Sequence, residues 1–382
     1  MASGYSIASY GGMILSEPRM SSYAEALRRA VTPGCTVIDI GAGPGLFSLL
    51  ACQFGAGRVI AIEPDSSVDL LPRLAQANGF ADRITVVKDL STNYTPDVKA
   101  DVIVSDIRGN LPLFEYHIPT IKDARSRLLA PGGQMIPLRD TVHVALVNFD
   151  EYHRRYTAPW LDNKFGVDLS AAHVLVANAA MRVYVGIDRL MSVPEVFATL
   201  DYATIEDPSV SRDLVLVARR AGSVNGLLVW FDAELAEGIG YSNAPGAPKL
   251  VYKQCFIPLD REVPVAQGDR FEIRLVARFS EGDYLWSWLT THIPASGGEP
   301  TVMRQSSFLS DIIVRDDVDR RVETHIPVVS QEAKLDRACL DLLDGQRTLG
   351  QIAEVLHGRF PGKWATESDA LAYAADMAAR YR

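Results

Sequence analysis

The sequence has few cysteines, no excess of basic charge and no long apolar run, and each shortage removes a class of function. Cys35, Cys52, Cys255 and Cys339 are the only four cysteines in 382 residues, and they stand far apart with no CxxC or other metal-type spacing. Such usage fits reduced thiols and excludes a disulfide framework or a zinc site. Lysine and arginine total 38 against 47 acidic residues, a net charge of −9. With no dense Lys/Arg run and no basic amphipathic helix, the chain carries no electrostatic footprint for DNA, RNA or anionic membranes. No apolar run approaches the roughly 18 residues of a membrane-spanning helix, and the first thirty residues lack a charged start followed by an apolar core. The expectation is a cytoplasmic protein without a metal.

What is present is ordinary globular composition, 48% apolar and 22% charged, over a length that exceeds one hydrophobic core and predicts two or three domains. Strand-like runs at Thr36–Ile40, Arg58–Glu63, Ile84–Val87, Asp101–Ser105 and Gln134–Ile136 alternate with helical stretches at Leu46–Phe54 and Ser66–Asn78. That βαβ rhythm predicts an α/β domain: a doubly wound, mostly parallel Rossmann-like sheet over residues 36–138, preceded by helices in 1–35. From Arg139 the texture changes to short β-prone runs: Thr141–Phe149, Asp213–Ala218, Gly226–Ala233, Leu250–Ile257, Arg270–Phe279 and Asp283–Thr290. Turn pairs such as Gly268-Asp269 and Gly282-Asp283 punctuate them, so 139–315 is expected to be an antiparallel β-barrel or sandwich. Helical spacing in Val328–Leu343, Leu349–Phe360 and Thr366–Tyr381 predicts a small helical domain over 316–382.

The chemistry concentrates after the first strand. Val37-Ile38-Asp39-Ile40-Gly41-Ala42-Gly43-Pro44-Gly45 runs from an apolar strand into a glycine turn and then a helix, and glycines let backbone approach a ligand without a Cβ clash. Glu63 closes the next strand, where a carboxylate can accept hydrogen bonds from both ribose hydroxyls of a nucleoside. Asp89 follows the third strand, where an adenine-side contact would fall. The turn lacks the GxGxxG spacing expected for NAD.

Asp39, Gly41, Gly43, Gly45, Glu63 and Asp89 together resemble the donor site of class I S-adenosylmethionine (SAM)-dependent methyltransferases, which implies SAM as cofactor. The segment Ser105-Asp106-Ile107-Arg108-Gly109-Asn110-Leu111-Pro112-Leu113-Phe114-Glu115 resembles, more narrowly, the signature loop of protein arginine methyltransferases, in which two acids nine apart flank a glycine. The resemblance implies that Asp106 and Glu115 hold a guanidinium in plane with one nitrogen facing the methyl sulfonium. The family's first acid is usually glutamate, one methylene longer than Asp106. Pro131-Gly132-Gly133 and Ile136-Pro137 match the family as well.

Met13 to Arg19, followed by Tyr23, resembles the family's N-terminal lid. That implies SAM contacts from Met13 and Arg19, the latter pairing with the methionine carboxylate, with Tyr5 or Tyr10 meeting the lid's aromatic positions. In the barrel, Leu250-Val251-Tyr252 stands where the family carries Thr-His-Trp. No histidine is available there to brace the acids, so Tyr252 is expected to line the pocket in its place. Tyr156–Asp168 resembles the start of the family's dimerisation arm, expected over about 156–190, which implies a homodimer. Leu342–Ala353 resembles the small PqqD-type domains that bind leader peptides; packing alone is the competing reading. His292, in Thr290-Thr291-His292, reads as a strand-end residue, and His117, His143, His153, His173, His325 and His357 show no ligand spacing.

The function expected is N-methylation of a guanidino group, on free arginine, on arginine in a peptide or on a related natural-product intermediate. A SAM-dependent O- or N-methyltransferase of another small metabolite, and a non-catalytic scaffold subunit of the same fold, remain alternatives.

Overall fold

The computed structural model describes residues 5–312, 314–320 and 322–381; positions 1–4 of the expected lid, and positions 313, 321 and 382, lie outside the described residues. Five strands, β1 (Thr36–Ile40), β2 (Arg58–Ile62), β3 (Ile84–Val87), β4 (Ala100–Ser105) and β5 (Leu129–Ile136), form a parallel sheet in the order β3-β2-β1-β4-β5. Val37, Ile38, Val59, Ile60, Ile62, Val102, Ile103 and Val104 are almost fully buried, as expected where helices cover both faces of a parallel sheet and leave continuous apolar runs. The order reverses between β1 and β4. Ligands bind in the crevice beyond the carboxyl ends of strands at such a switch point, so Gly41, after β1, and Asp106, after β4, open onto one place.

Five helices surround this sheet: α1 (Ile7–Ile14), α2 (Glu17–Ala30), α3 (Leu46–Gln53), α4 (Leu71–Ala77) and α5 (His117–Arg127). The continuous helix expected over Ser66–Asn78 is instead a 3-10 turn, Ser66–Leu70, followed by α4. Pro72 explains the break, because proline has no N–H to donate and is tolerated in the first turn of an α-helix but not its interior.

Beyond Pro137 two antiparallel sheets form the expected barrel. One holds β6 (Arg139–Val147), β7 (Met181–Val183), β8 (Glu195–Asp201), β10 (Gly222–Ala236), β11 (Ile239–Ser242) and β12 (Gln254–Val265). The other holds β9 (Val210–Val217), β13 (Arg270–Ser280), β14 (Asp283–Ile293) and β15 (Thr301–Ser306). Inward residues alternate along β14, where Tyr284, Trp286, Trp288, Thr290 and His292 are buried.

One expected strand boundary is corrected. Leu250–Lys253 is a loop, and β12 begins at Gln254. The backbone N–H groups of Val251 and Lys253 go to the Ser16 hydroxyl at 3.2 Å and the Asn110 side-chain oxygen at 3.0 Å. Spent on the lid and on the Asp106 loop, they are not available to a ladder. Residues 150–177, within and just before the expected arm, are mainly short helical segments.

The chain divides after Ile312 into two units. The second holds a short helix, Arg315–Asp319, and three longer ones, Gln331–Leu340, Leu349–Arg359 and Glu367–Arg380, whose N-termini are capped by the side chains of Ser330, Thr348 and Thr366. Its own core contains Leu335, Cys339, Ile352, Leu356, Ala374 and Met377. Among the described residues no helix is long and apolar enough to cross a membrane.

Candidate active site

The switch point opens into a cavity of about 800 Å³ whose lining includes Met13, Arg19, Gly41, Glu63, Asp106, Glu115 and Tyr252. At one end the backbone leaves β1 with positive φ at Gly41, Gly43 and Gly45, a conformation that favours glycine. Space demands glycine as well. A Cβ would meet the Ile107 side chain at 2.3 Å on Gly41, the Tyr10 ring at 2.6 Å on Gly43 and Leu71 at 2.2 Å on Gly45. Glu63 is fixed beside this turn, one carboxylate oxygen accepting the Gly43 N–H at 3.0 Å and the other the Asp65 N–H at 2.9 Å. A bare glycine backbone, an anchored carboxylate and the aromatic rings of Tyr5 and Tyr10 along the same wall fit a nucleoside-bearing donor such as SAM.

Two expected donor residues occupy other places. Asp39 is fully buried behind the turn, where it accepts the Ser48 hydroxyl at 2.7 Å, its other oxygen has no side-chain partner among the described residues, and burial pushes its carboxyl up to about 7. It supports the turn and does not line the cavity. Asp89 is exposed and closes its own turn, accepting the Leu90 N–H at 2.7 Å and the Asn93 amide at 2.8 Å.

Arg19 points from α2 at Asp106. Its Nε lies 2.6 Å and an Nη 2.5 Å from one carboxylate oxygen of Asp106, and the Tyr252 hydroxyl donates to the same oxygen at 2.6 Å. Arg19 is thereby held in place by the Asp106 carboxylate. Arg108 Nε reaches the second oxygen of Asp106 at 3.2 Å. Burial alone would raise the Asp106 carboxyl, but the two guanidiniums and the Tyr252 O–H outweigh it and hold it at about 2. Tyr252 moves the other way, pushed up by burial and by the Asp106 charge, so it stays a hydrogen-bond donor.

Behind Asp106 lies a fully buried network that sequence reading did not find. Arg108 Nη1 donates to Asp140 at 2.6 Å and Nη2 to the Tyr23 hydroxyl, which itself donates to the Ser105 carbonyl at 3.0 Å. Tyr202 donates to the other oxygen of Asp140 and lies 2.9 Å from His117 Nε2. Burial, helped by Arg108, lowers His117 to about 3, so its ring is neutral. No signal in the sequence marked it, because Arg108 and Asp140 stand 32 residues apart and take their roles only from each other.

Glu115 differs from Asp106 in burial and in pairing. It is exposed, sits at a φ of 37°, unusual for a residue with a Cβ, and makes no ion pair among the described residues. Its backbone N–H lies 3.3 Å from a carboxylate oxygen of Asp283, at the start of β14. Desolvation and then the Asp283 charge raise its carboxyl above the ordinary range. Of the two signature acids on the cavity wall, Asp106 is therefore charge-compensated and Glu115 is not. His292, bonded to Asp269 at 2.9 Å, does not line the cavity.

A parallel switch-point sheet with a glycine turn and strand-end acid, followed by an antiparallel barrel, defines a class I methyltransferase carrying a substrate-side barrel. Residues 139–288 match the arginine methyltransferase oligomerization subdomain, and residues 22–136 match ribosomal protein L11 methyltransferase. The chain is 32% identical over 270 residues to an arginine N(omega)-methyltransferase of Streptomyces achromogenes subsp. streptozoticus, spanning 69% of this chain and 74% of that one. It is 28% identical over 253 residues to protein arginine N-methyltransferase 1 of Saccharomyces cerevisiae, spanning 64% and 72%. Its fold is shared with the Trypanosoma brucei PRMT1 enzyme-prozyme heterotetrameric complex with AdoHcy (TM-score 0.73, 22% identity, 79% of this chain and 98% of that one). It is shared as well with Arabidopsis thaliana protein arginine methyltransferase 10 (TM-score 0.67, 20% identity, 79% and 98%). The chain belongs to the arginine methyltransferase family, and it is a SAM-dependent methyltransferase.

Proposed function

We propose that this enzyme methylates a guanidino nitrogen of arginine, as the free amino acid, in a peptide or in a related natural-product intermediate. The observation that carries the reading is the placement of Asp106 and Glu115 on one cavity that also receives the glycine turn and Glu63. SAM supplies an electrophilic methyl group on a sulfonium. The chain's own contribution is to bind and orient the acceptor.

Glu63 and the bare backbone of Gly41 and Gly43 hold the nucleoside end, while Met13 and Arg19 close the cavity from the lid. Glu115 binds the guanidinium and, with Asp106 behind it, fixes which nitrogen presents its lone pair, an orienting role worth more to this displacement than a strong base. Tyr252 holds the Asp106 carboxylate in one rotamer. Asp39 and Asp89 act at a distance, the first by supporting the glycine turn and the second by shaping the loop after β3.

We also propose a homodimer built through the segment at 156–190. The support is a row of exposed apolar side chains there, Trp160, Leu161, Phe165 and Val167, with Phe165 at 75% exposure. The match of 139–288 to an oligomerization subdomain points the same way. The four cysteines are unpaired, which supports a reducing, cytoplasmic setting. For the unit after Ile312 we keep the PqqD-like peptide-binding role as a proposal, supported by the residue pattern at Leu342–Ala353 alone.

The reading is tested by incubating the protein with labelled SAM and a panel of guanidines, with and without Glu115→Gln. Label on a guanidino nitrogen that disappears in the variant supports it, and label appearing only on hydroxyl or amine acceptors overturns it.

A further inference from the structure

Two walls of the cavity carry charges that the donor side leaves unused. Glu115 and Asp283 both line it, are both exposed, and neither has a cationic partner among the described residues. Their closeness is built in. The β13–β14 hairpin turns through Glu281 (φ 50°) and Gly282 (φ 93°), and a Cβ on Gly282 would meet the Tyr116 ring at 2.6 Å. Tyr116 in turn packs edge-on against Phe279 at 5.8 Å between centroids. The hairpin is therefore seated on the residue after Glu115, which carries Asp283 to the Glu115 backbone. Two like charges held together destabilise each other until a cation lies between them.

The third charge has the opposite sign. Arg182 lies on β7 directly across from Cys255 on β12, and both line the cavity. Directly opposed residues of an antiparallel pair project to the same face. Arg182 makes no ion pair or hydrogen bond among the described residues. Arg182 and Cys255 line the same cavity as Asp106 and Tyr252, so a molecule bound there meets both the acid and the guanidinium.

We infer that the barrel wall makes the acceptor site selective for a small zwitterion, a guanidino acid whose cationic end lies between Glu115 and Asp283 and whose carboxylate is received by Arg182. The inference rests on the guanidine reading above and adds its substrate class. A carboxylate meeting an unpaired guanidinium gains two parallel charge-assisted hydrogen bonds, which a residue inside a peptide, lacking a free carboxylate, does not offer.

The test compares arginine with agmatine, which has the same guanidine and no carboxylate, in the full-length enzyme. Wild type is expected to favour arginine in kcat/KM by tenfold or more. Arg182→Gln is expected to collapse that ratio toward one, and Arg182→Lys to restore part of it. Asp283→Asn is expected to raise KM for both substrates by tenfold or more and leave the ratio near its wild-type value. Calorimetric SAM affinity, read on each variant, separates these effects from misfolding. An arginine-to-agmatine ratio unmoved by Arg182→Gln, or unchanged KM values in Asp283→Asn, overturns the inference while guanidine methylation stands. Turnover on no guanidine by the wild-type enzyme overturns the parent reading and this inference with it.

Discussion

The Tyr252 hydroxyl donates to Asp106 at 2.6 Å across 146 residues of sequence, onto the same oxygen that Arg19 grips with two nitrogens. The barrel and the nucleotide-type sheet thus meet at one carboxylate. Tyr252→Phe keeps the ring and removes only this donor. A hydrogen bond to a charged group contributes about 1.5–3 kcal/mol, so kcat is expected to fall roughly 10- to 100-fold, with SAM affinity within a few-fold of wild type. Steady-state kinetics with calorimetric SAM titration reads both, and an unchanged kcat would separate Tyr252 from the chemistry.

The two signature acids should separate in a stability experiment. Asp106→Asn leaves Arg19 and Arg108 buried with less counter-charge, side chains that are 8% and 0% exposed, and breaking a buried ion network from one side costs about 3–5 kcal/mol. Glu115→Gln, exposed and without an ion pair, should stay within about 0.5 kcal/mol of wild type while losing transfer. Urea midpoints of the two variants check this, and equal destabilisation would contradict the division of roles.

Glu115 also sets the expected pH response. Its carboxyl is raised by desolvation and by Asp283, and the reaction requires it ionised. Activity should therefore fall as pH drops through a value above the ordinary carboxylate range. Removing the neighbouring charge with Asp283→Asn lets Glu115 ionise more readily, so the acidic limb of kcat/KM should move to lower pH. A limb that stays in place would assign it to another group.

Much of this was legible in the sequence, and the reason is local. β1 to β4 are recovered within about a residue because strands buried on both faces read as continuous apolar runs between glycine and helix signals. The glycine turn and Glu63 follow from motif spacing, Asp106 and Tyr252 from the family resemblance, and the structure gathers them on one cavity. Short strands such as β7, of three residues, offer too few positions for a period to register. Leu250–Lys253 has strand-like composition, but its N–H groups go to Ser16 and Asn110, partners 235 and 143 residues away. Arg108 and Asp140 are unremarkable in sequence because their meaning lies in each other, and Asp283 read as a turn residue until the hairpin was seen seated beside Glu115.

Assembly gives a further expectation. Phe165 and Trp160 stand on a segment rich in exposed apolar side chains, and burying such a surface drives association. Wild type should sediment at twice the chain mass, and Phe165→Asp combined with Trp160→Ser should shift it to the monomer. A variant that sediments like wild type would move the interface elsewhere.

The central claim is that Glu115 binds a guanidinium for methyl transfer, and mass spectrometry of the product tests it most directly. After incubation with methyl-labelled SAM and free arginine, fragmentation should place the label on a guanidino nitrogen with wild type and find none with Glu115→Gln. Label on the α-amino or carboxyl group, or undiminished guanidino labelling by the Glu115→Gln variant, would contradict it.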